Sequence, residues 1–351
     1  MGARNNFMGQ HRASTRRGAG DAVVMRRAVG AARTARLRAR PNPWVGAVVV
    51  CGDGREFEGA TSAPGGRHAE IVAMDAARAA GADLRGAVLY STLEPCSHHG
   101  RTPPCTDAII GAGIGEVIIG ITDPDTKVSG TGVMALRAAG IPVETGVLAD
   151  EVTEQLLPYL HHRSTGRPFV ILKMAVTLDG RTVAPAGGRW ITGEPARRRV
   201  HEMRAESDAI VVGAGTVAAD DPQLTVREAE GPSPRRIVLS RHGIDPAARV
   251  NPCTVWDGSL PAMLDSLGRD GVLQVMVEGG PTVAAAFHDA GLVDRYVFHV
   301  APVVSGDTSA PGVFSVGTGP ADGLSDNRLV SATVLGDDIE LILQPPKATA
   351  A

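Results

Sequence analysis

The sequence has few aromatic residues and few cysteines, and it contains no long apolar run. Phe, Trp and Tyr make up 3% of the 351 residues, which argues against the base-stacking surfaces of single-strand nucleic-acid binders. Only four cysteines are present and no disulfide framework is indicated, so a reducing cytoplasm is expected. The absence of a membrane-length apolar segment predicts a protein without a spanning helix.

The first twenty residues lack Asp and Glu and contain no apolar core of a secretory signal. Their Arg-rich composition is shared by organelle transit peptides, but a disordered extension over residues 1–20 explains it as well. The net charge of -3 and the pI near 6.4 give no reason to expect nucleic acid or a membrane surface as partner. We expect neither of these partners. The small-molecule substrate is what the resemblance given below implies, and a homo-oligomer is the expected assembled state.

The most informative stretch combines metal-ligand side chains with a nearby carboxylate. His68 is followed two residues later by Glu70, and Cys96 and Cys105 lie further along the chain with eight residues between them. One imidazole and two thiolates suit Zn²⁺, and three protein ligands leave the fourth position to water, whose pKa the metal lowers. A His-x-Glu followed by Pro-Cys is typical of zinc-dependent nucleobase deaminases, in which the Glu is the general acid/base.

A structural zinc site is the alternative interpretation of the same residues. Such a site needs a fourth protein ligand, for which His98 or His99 could serve. It would leave Glu70 without a purpose, so the catalytic interpretation is favoured.

Alternating strand and helix patterns predict two α/β domains. Residues 21–148 form the first, beginning with a helix capped by Asp21 and containing a largely parallel sheet. A linker helix over 149–168 leads to the second domain, at 169–345, and the low-complexity tail after Pro345 is predicted to fray. No internal repeat relates the two halves.

The second half contains several Gly-rich turns between strands and helices. The turn Gly279-Gly280-Pro281-Thr282 is a plausible phosphate site, since backbone N–H groups at a helix start bind phosphate. Such turns are common for steric reasons alone. Gly213-Ala214-Gly215 does not continue into a dinucleotide fingerprint, because residue 218 is Ala rather than Gly.

The stretch from Leu93 to Cys105 resembles, almost letter for letter, a motif of the bifunctional riboflavin-biosynthesis deaminase–reductases. It reads Leu93-Glu94-Pro95-Cys96-Ser97-His98-His99-Gly100-Arg101-Thr102-Pro103-Pro104-Cys105. The turns of the second half are similar to those of the same family, so the resemblance runs from about residue 21 to about 340. It implies a cytidine-deaminase-like zinc domain followed by a dihydrofolate-reductase-like domain that uses NADPH. The implied reactions are zinc-hydroxide deamination of 2,5-diamino-6-(5-phosphoribosylamino)pyrimidin-4-one and reduction of the ribosyl group to ribityl.

The resemblance also implies roles for individual residues in both domains. In the deaminase it implies one zinc ion on His68, Cys96 and Cys105, catalysis by Glu70, and pocket contacts from Asn42 and Asp123. In the reductase it implies contacts with NADPH from Ala175, Trp190, Thr216, Asp220, Gly280, Pro281 and Thr282. It places Arg204, Leu224, Arg227 and Glu278 at the substrate.

The arginines fit the chemistry, because planar bidentate donors suit a ribose phosphate. For Arg204 the alternative is a solvated helix face shared with Arg197, Arg198 and Arg199. Lys173 and Asp179 are interpreted either as polar groups of the cofactor site or as an ordinary strand edge and turn.

The sequence departs from the family pattern at four places. Thr61 stands where a His is usual, Asp125 where an Asn is usual, Gly188 where a Ser is usual, and Ser240-Arg241 where Asp-Ser is usual. These departures leave two alternatives open. One is a deaminase–reductase that acts on a different modified pyrimidine or purine; the other is a working reductase with an inactive zinc-bearing domain.

Overall fold

The computed structural model describes residues 6–98, 103–125, 129–184, 188, 190–314 and 326–346. Residues 99–102, which include His99, and nearly all of the predicted frayed tail lie outside the described residues. The chain divides into two units, Met1–Ser164 and Thr165–Ala351. No helix in the described ranges combines the length and apolar character needed to cross a membrane.

The first unit contains five helices and five strands within the described residues. In chain order they are α1 (Asn6–Ala39), β1 (Gly46–Val50), β2 (Glu56–Ala60), α2 (Ala69–Ala79), β3 (Val88–Leu93), α3 (Cys105–Ala112), β4 (Glu116–Ile121), α4 (Thr131–Ala138), β5 (Val143–Thr145) and α5 (Ala149–Thr165). The sheet order is β2-β1-β3-β4-β5. Strands β3, β4 and β5 are parallel, whereas β1 is antiparallel to both of its neighbours, so the sheet is mixed rather than largely parallel.

Two glycines allow helices to touch the backbone of this sheet on its opposite faces. A Cβ on Gly46 would lie 1.9 Å from the carbonyl oxygen of Ala28 in α1. A Cβ on Gly59 would lie 2.2 Å from the carbonyl oxygen of Ala69 in α2. Gly59 pairs with Ala47, which is adjacent to Gly46, so the two glycines face opposite sides of the sheet. Helix α2 is thereby held at the depth that places its first turn in the site described below.

The first helix is longer than predicted. Helix α1 begins at Asn6, so residues 6–20, which the sequence led us to interpret as a disordered extension, are helical. This segment contains no Pro, and its three arginines are good helix formers. Asp21 is not the N-cap. It lies inside the helix, where its buried carboxylate accepts a hydrogen bond from the Tyr90 hydroxyl at 2.7 Å.

The predicted linker helix is part of the first unit. The indole Nε1 of Trp44 donates to the carbonyl of Gln155 in α5 at 3.0 Å, and Gln155 Nε2 donates to the carbonyl of Val29 at 2.8 Å. Val152 and Leu156 of the same helix are completely buried. An apolar face and two hydrogen bonds at Gln155 therefore hold α5 against the rest of the first unit, whereas a linker would be solvated.

The second unit contains one large sheet and four helices within the described residues. Its elements are β6 (Phe169–Thr177), α6 (Glu194–Glu206), β7 (Ala209–Gly213), α7 (Ala214–Asp220), β8 (Arg235–Leu239), β9 (Thr254–Trp256), α8 (Leu260–Arg269), β10 (Gln274–Val277), α9 (Pro281–Asp289), β11 (Arg295–Ala301), β12 (Arg328–Leu335) and β13 (Asp338–Gln344). The sheet order is β12-β13-β11-β6-β10-β7-β8-β9. All neighbouring strands from β11 to β9 are parallel, and an antiparallel hairpin of β12 and β13 extends the edge beside β11.

The central strands of the second sheet are covered on both faces. Val275, Met276 and Val277 of β10 are fully buried, as expected for a parallel strand between helical layers. The carboxyl ends of the parallel strands lead into α7 and α9, which begin at Gly-rich turns. This edge is where ligands of open α/β sheets usually bind.

Candidate active sites

Three side chains of metal-ligand type meet in the first unit where two helices begin. His68 is the N-cap residue of α2, and Cys105 is the first residue of α3, directly after Pro104. Cys96 lies in the loop that follows β3. Nδ1 of His68 is 3.2 Å from Sγ of Cys105 and 3.5 Å from Sγ of Cys96. All three ligand atoms lie within 4.8 Å of one another, so one ion can contact them all.

The ligand set fits a catalytic zinc ion better than a structural one. One imidazole nitrogen and two sulfurs suit Zn²⁺ in a tetrahedral arrangement. The side chain of His98 is exposed and lies outside the cluster, and His99 is not among the described residues. The cluster that the described residues form therefore has three protein ligands, which leaves a fourth position for a water molecule or substrate.

The two thiols compete for one proton. The pKa of Cys96 is lowered to about 4, first by the hydrogen bond from the Cys105 thiol and then by His68 and the Cys105 amide. That amide donates to Sγ of Cys96 at 3.4 Å. The pKa of Cys105 is raised, chiefly because its thiol gives the shared hydrogen bond. A divalent cation needs both sulfurs as thiolates and would displace this remaining proton.

Glu70 lies in the first turn of α2, two residues after His68, and is only 3% exposed. Burial raises the pKa of its carboxyl group to about 7, against the opposing charge of His68. A carboxyl group that titrates near neutral pH is suited to accept a proton and to return it. Glu70 is not one of the clustered ligands, which matches the general acid/base expected beside the metal.

Glu94, two residues before Cys96, binds the main chain at Asp123 and at the start of α4. Its buried carboxylate accepts hydrogen bonds from the main-chain N–H groups of Asp123, Gly130, Gly132 and Val133, at 2.8 to 3.2 Å. Three of these residues lie at the start of α4, whose unsatisfied N–H groups and positive dipole end favour an anion. Glu94 thus fixes both the start of α4 and the position of Asp123.

Glu94→Gln should lower the stability of the first unit. The amide keeps one acceptor oxygen but turns an NH2 group toward main-chain donors, so about 2–3 kcal/mol of unfolding free energy should be lost. Denaturant or thermal unfolding measures the change. Glu144→Gln, a substitution at an exposed position of β5, is the control and should stay within about 0.5 kcal/mol of wild type. Equal stability of the two variants would contradict the role given to Glu94.

The two predicted pocket contacts of the first unit lie at the ends of different elements. Asn42 is half-buried in the turn after α1. Asp123 follows β4 and is buried; its carboxylate accepts hydrogen bonds from the Tyr159 hydroxyl at 3.2 Å and from the Asp125 amide at 2.9 Å. Burial raises the pKa of Asp123. Tyr159 belongs to α5, so this helix supports a candidate substrate residue.

Thr61, at the first departure from the family pattern, has a structural partner. Its buried hydroxyl accepts a hydrogen bond from the amide of Val45 at 2.9 Å. It also lies 3.3 Å from the Val45 carbonyl, to which it can donate. The threonine therefore ties the entry of β1 to the end of β2.

In the second unit, the structure brings together two of the predicted cofactor residues. The hydroxyl oxygen of Thr216 in α7 accepts a hydrogen bond from the amide of Gly280, the N-cap residue of α9, at 3.2 Å. A Cβ on Gly279 would lie 2.4 Å from Val283, so a glycine is required for this close approach. Pro281 and Thr282 form the first turn of α9. The turn presents main-chain donors at a helix start, as a phosphate site requires.

The other predicted cofactor residues are more dispersed. Ala175 is half-buried in β6, and Asp220 is exposed at the end of α7. Trp190 is 55% exposed, and the Arg197 guanidinium lies 5.4 Å from its ring centre.

Two of the predicted substrate residues bind each other. Arg204 of α6 makes a bidentate ion pair with Glu278, with Nε–Oε1 and Nη2–Oε2 distances of 2.7 and 2.8 Å. Arg204 is therefore not on a solvated helix face. Arg227 is exposed and donates to the Thr225 hydroxyl at 2.9 Å. The side chain of Leu224 is buried in the core, so its main chain is the part available to a ligand.

Asp179 and Lys173, which the sequence left open, differ in their surroundings. Asp179 accepts hydrogen bonds from the Thr177 hydroxyl and from the amides of Ser305 and Gly306. Its pKa is lowered to about 2 by these bonds, so it acts as a turn residue. Lys173 has no hydrogen-bond or ion-pair partner among the described residues, and burial lowers its pKa although Glu278 lies nearby. Lys173 is half-buried, so its ammonium group is available to a ligand.

Little in the sequence points to Glu94, Tyr159, His299 or Glu340 as residues of the sites. Their partners are main-chain groups or side chains on strands and helices far away in the sequence. The one detectable signal is at Glu94, where a carboxylate directly follows a buried strand. His299 and Glu340 lie in β11 and β13 among mainly apolar residues, so the sequence pattern predicts strands there and does not predict a polar pair.

Comparison with known proteins assigns both units to described families. Residues 168–341 match the family model described as RibD C-terminal domain. Residues 20–121 match the cytidine and deoxycytidylate deaminase zinc-binding region. The cluster of His68, Cys96 and Cys105 lies within the second of these matches.

Full-length relatives match across both units. Riboflavin biosynthesis protein RibD of Mycobacterium tuberculosis H37Rv is 42% identical over 280 residues, covering 76% of this chain and 80% of the relative. RibD of Escherichia coli K12 is 37% identical over 328 residues, covering 82% of this chain and 89% of the relative.

Solved structures agree. RibD of Acinetobacter baumannii superposes with a TM-score of 0.85 at 34% identity, covering 94% of this chain and 100% of that chain. A diaminohydroxyphosphoribosylaminopyrimidine deaminase/5-amino-6-(5-phosphoribosylamino)uracil reductase of Thermotoga maritima superposes with a TM-score of 0.87 at 37% identity and the same coverage.

Proposed function

The chain belongs to the RibD family of riboflavin-biosynthesis proteins, and from this membership we propose how its residues divide the two reactions of the family. The protein is a bifunctional enzyme, with a zinc-dependent deaminase domain followed by an NADPH-dependent reductase domain. We assign the deaminase reaction to Met1–Ser164 and the reductase reaction to Thr165–Ala351.

The deaminase proposal rests on the cluster of His68, Cys96 and Cys105 with Glu70 beside it. A zinc ion held there supplies Lewis-acid activation of water. Glu70 accepts the proton of that water and donates it to the amino group that leaves as ammonia, which its pKa of about 7 allows. Asp123, oriented by Tyr159 and the Glu94 loop, binds polar groups of the pyrimidine, and Asn42 contributes a second contact.

The reductase proposal rests on Lys173. A bound NADPH would supply the hydride for C1′ of the ribose. Breaking the ring C1′–O4′ bond leaves O4′ in need of a proton. Lys173, an ammonium group without a described partner, donates that proton. Thr216, Gly280, Pro281 and Thr282 hold a phosphate of the cofactor at the start of α9, with Ala175, Trp190 and Asp220 as further contacts.

We place the substrate beside Lys173 and on the side of α6. Arg227 is the exposed arginine that binds the ribose phosphate. Arg204 and Glu278 act as a fixed pair at the edge of this site, and Leu224 contributes main-chain groups. Burial and the charge of Arg204 lower the pKa of Arg227, so an arriving phosphate would relieve an unfavourable crowding of cations.

Product analysis by mass tests the assignment of the two reactions. The protein is incubated with the diamino substrate, with and without NADPH. Without NADPH the product should have an oxo group in place of one amino group, and with NADPH it should also gain two hydrogens. Absence of the deaminated product, with reduction intact, would favour an inactive zinc domain. Turnover of an analogue in preference to this substrate would favour a different pathway.

Arg227→Ala should weaken the binding of the phosphorylated substrate far more than the binding of NADPH. A hydrogen bond to a charged partner contributes about 1.5–3 kcal/mol, so the substrate KM of the reductase should rise by roughly ten- to a hundred-fold. Steady-state kinetics measure the KM, and fluorescence titration measures NADPH binding. Arg235→Ala is the control, since Arg235 is an exposed arginine of the same unit paired with Asp270. An equal loss of NADPH affinity in Arg227→Ala would contradict the assignment.

We also propose that the protein forms a homo-oligomer and that it is located in the cytoplasm. Four free cysteines are consistent with a reducing compartment. Size-exclusion chromatography with light scattering measures the oligomeric state, and a mass equal to one chain would contradict it.

A further inference from the structure

A row of charged and polar side chains crosses four strands of the second sheet beneath α6. His299 of β11 pairs with Glu340 of β13 on one side and with Ala175 of β6 on the other. Lys173 lies two residues before Ala175, on the same face of β6. Glu278 continues β10, where the pairing of Val277 with Leu172 places it beside Lys173. The order across the sheet is therefore Glu340, His299, Lys173, Glu278.

Both ends of the row are paired with arginines of one helix. Arg204 binds Glu278 at 2.7 and 2.8 Å, and Arg199 approaches Glu340 at 3.4 Å. Both arginines belong to α6, so this helix covers the face that carries the row. The two outer carboxylates are fixed, and their charges are balanced.

The middle of the row is not satisfied. Lys173 has no hydrogen-bond or ion-pair partner among the described residues. The side chain of His299 is 0% exposed, and its Nδ1 is buried without a hydrogen-bond partner in the described part of the chain. Among the described residues, the Lys173 ammonium group, which has three donors, and Nδ1 of the neighbouring His299 therefore each lack a partner.

The bond to Glu340 determines which nitrogen of His299 carries the hydrogen. Nε2 lies 3.1 Å from Oε2 of Glu340. An ionised carboxylate only accepts, so Nε2 is the protonated nitrogen and Nδ1 is an acceptor in the neutral ring. Burial lowers the pKa of His299, and the charge of Lys173 lowers it further, which favours the neutral ring. The open nitrogen is thus an acceptor beside an ammonium group that lacks one.

We infer that His299 is a positioning residue of the reductase. In the working enzyme its Nδ1 accepts a hydrogen bond from the Lys173 ammonium group, while Glu340 and Arg199 hold the imidazole in place. The flexible lysine side chain is then fixed in the orientation from which it donates its proton to the ribose oxygen. This inference rests on the role proposed for Lys173.

Two substitutions separate positioning from packing. His299→Asn places an amide oxygen near the former Nδ1 and loses the contact with Glu340. His299→Gln reaches the former Nε2 position and loses the acceptor for Lys173. Positioning predicts that the Gln variant loses about ten-fold or more of reductase kcat, because a bond to a charged group is removed, and that the Asn variant loses clearly less. A packing role predicts the reverse order, since Gln keeps Glu340 partnered.

The measurements use the full-length enzyme with zinc and NADPH. Deaminase activity and NADPH affinity should stay at wild-type values in both variants, which shows that folding is intact. A Gln variant as active as the Asn variant, or more so, would overturn the inference. Lys173→Met is measured in parallel: if its reductase activity persists, the role proposed for Lys173 is itself wrong. If Lys173→Met is inactive and the Asn/Gln order is reversed, only the inference about His299 fails.

A measurement that keeps His299 covers the case in which neither variant folds. Nitrogen NMR of histidine-labelled enzyme is compared with that of Lys173→Met. One neutral ring that carries its hydrogen on Nε2 should change its Nδ1 shift in this variant, whereas the ring of the zinc ligand His68 should not. Identical histidine spectra of the two proteins would overturn the inference.

Discussion

Glu70→Gln is expected to abolish deamination, while zinc content and NADPH-dependent reduction stay at wild-type levels. The amide is nearly isosteric but cannot carry the proton from water to the leaving amine. Removing a positioned general acid/base typically costs about 10²–10⁴-fold in rate. The deaminase rate is measured by release of ammonia, and zinc by metal analysis of the purified protein.

The matched control is Glu151→Gln. Glu151 also lies in the first turn of a helix of the first unit, but it is exposed and paired with Arg26. This control should deaminate at the wild-type rate. Deamination by Glu70→Gln within a few-fold of wild type would show that another group transfers the proton.

Cys96→Ser and Cys105→Ser should each lose stoichiometric zinc and, with it, deaminase activity. A serine hydroxyl is a much poorer ligand than a thiolate, and only His68 and one sulfur would remain. Cys51→Ser is the control, because Cys51 is a buried cysteine of the same unit outside the cluster. Full zinc occupancy in either ligand variant would contradict the assignment of the site.

The buried parallel strands were predictable where their residues form an apolar run, as 117–119 do in β4 and 275–277 do in β10. The hairpin of β12 and β13 was missed, because most residues of β12 are exposed or half-exposed and show no regular alternation. Strand β2 was missed for a related reason, since Glu56 and Glu58 make its sequence resemble a loop.

The metal ligands were predictable because their spacing is encoded locally, in a motif where Pro104 begins a helix at Cys105. The groups that support the sites were not. Glu94 contacts main-chain N–H groups, which leave no trace in side-chain identity. His299 and Glu340 are 41 residues apart, and only the pairing of β11 with β13 brings them together. The sequence pattern thus predicted the metal ligands. The residues that hold the sites in place could not be predicted, because they depend on tertiary contacts.

The packing of α5 against the first unit determines which residues a separately expressed or fused deaminase domain must contain. A graft that stops at residue 148 would strip away the carbonyl acceptor of Trp44 and the hydroxyl that orients Asp123. A graft that runs through Ser164 would keep both. A fusion of this deaminase to another protein should therefore have its junction after α5. Helix α5 is part of the deaminase domain and cannot serve as a linker.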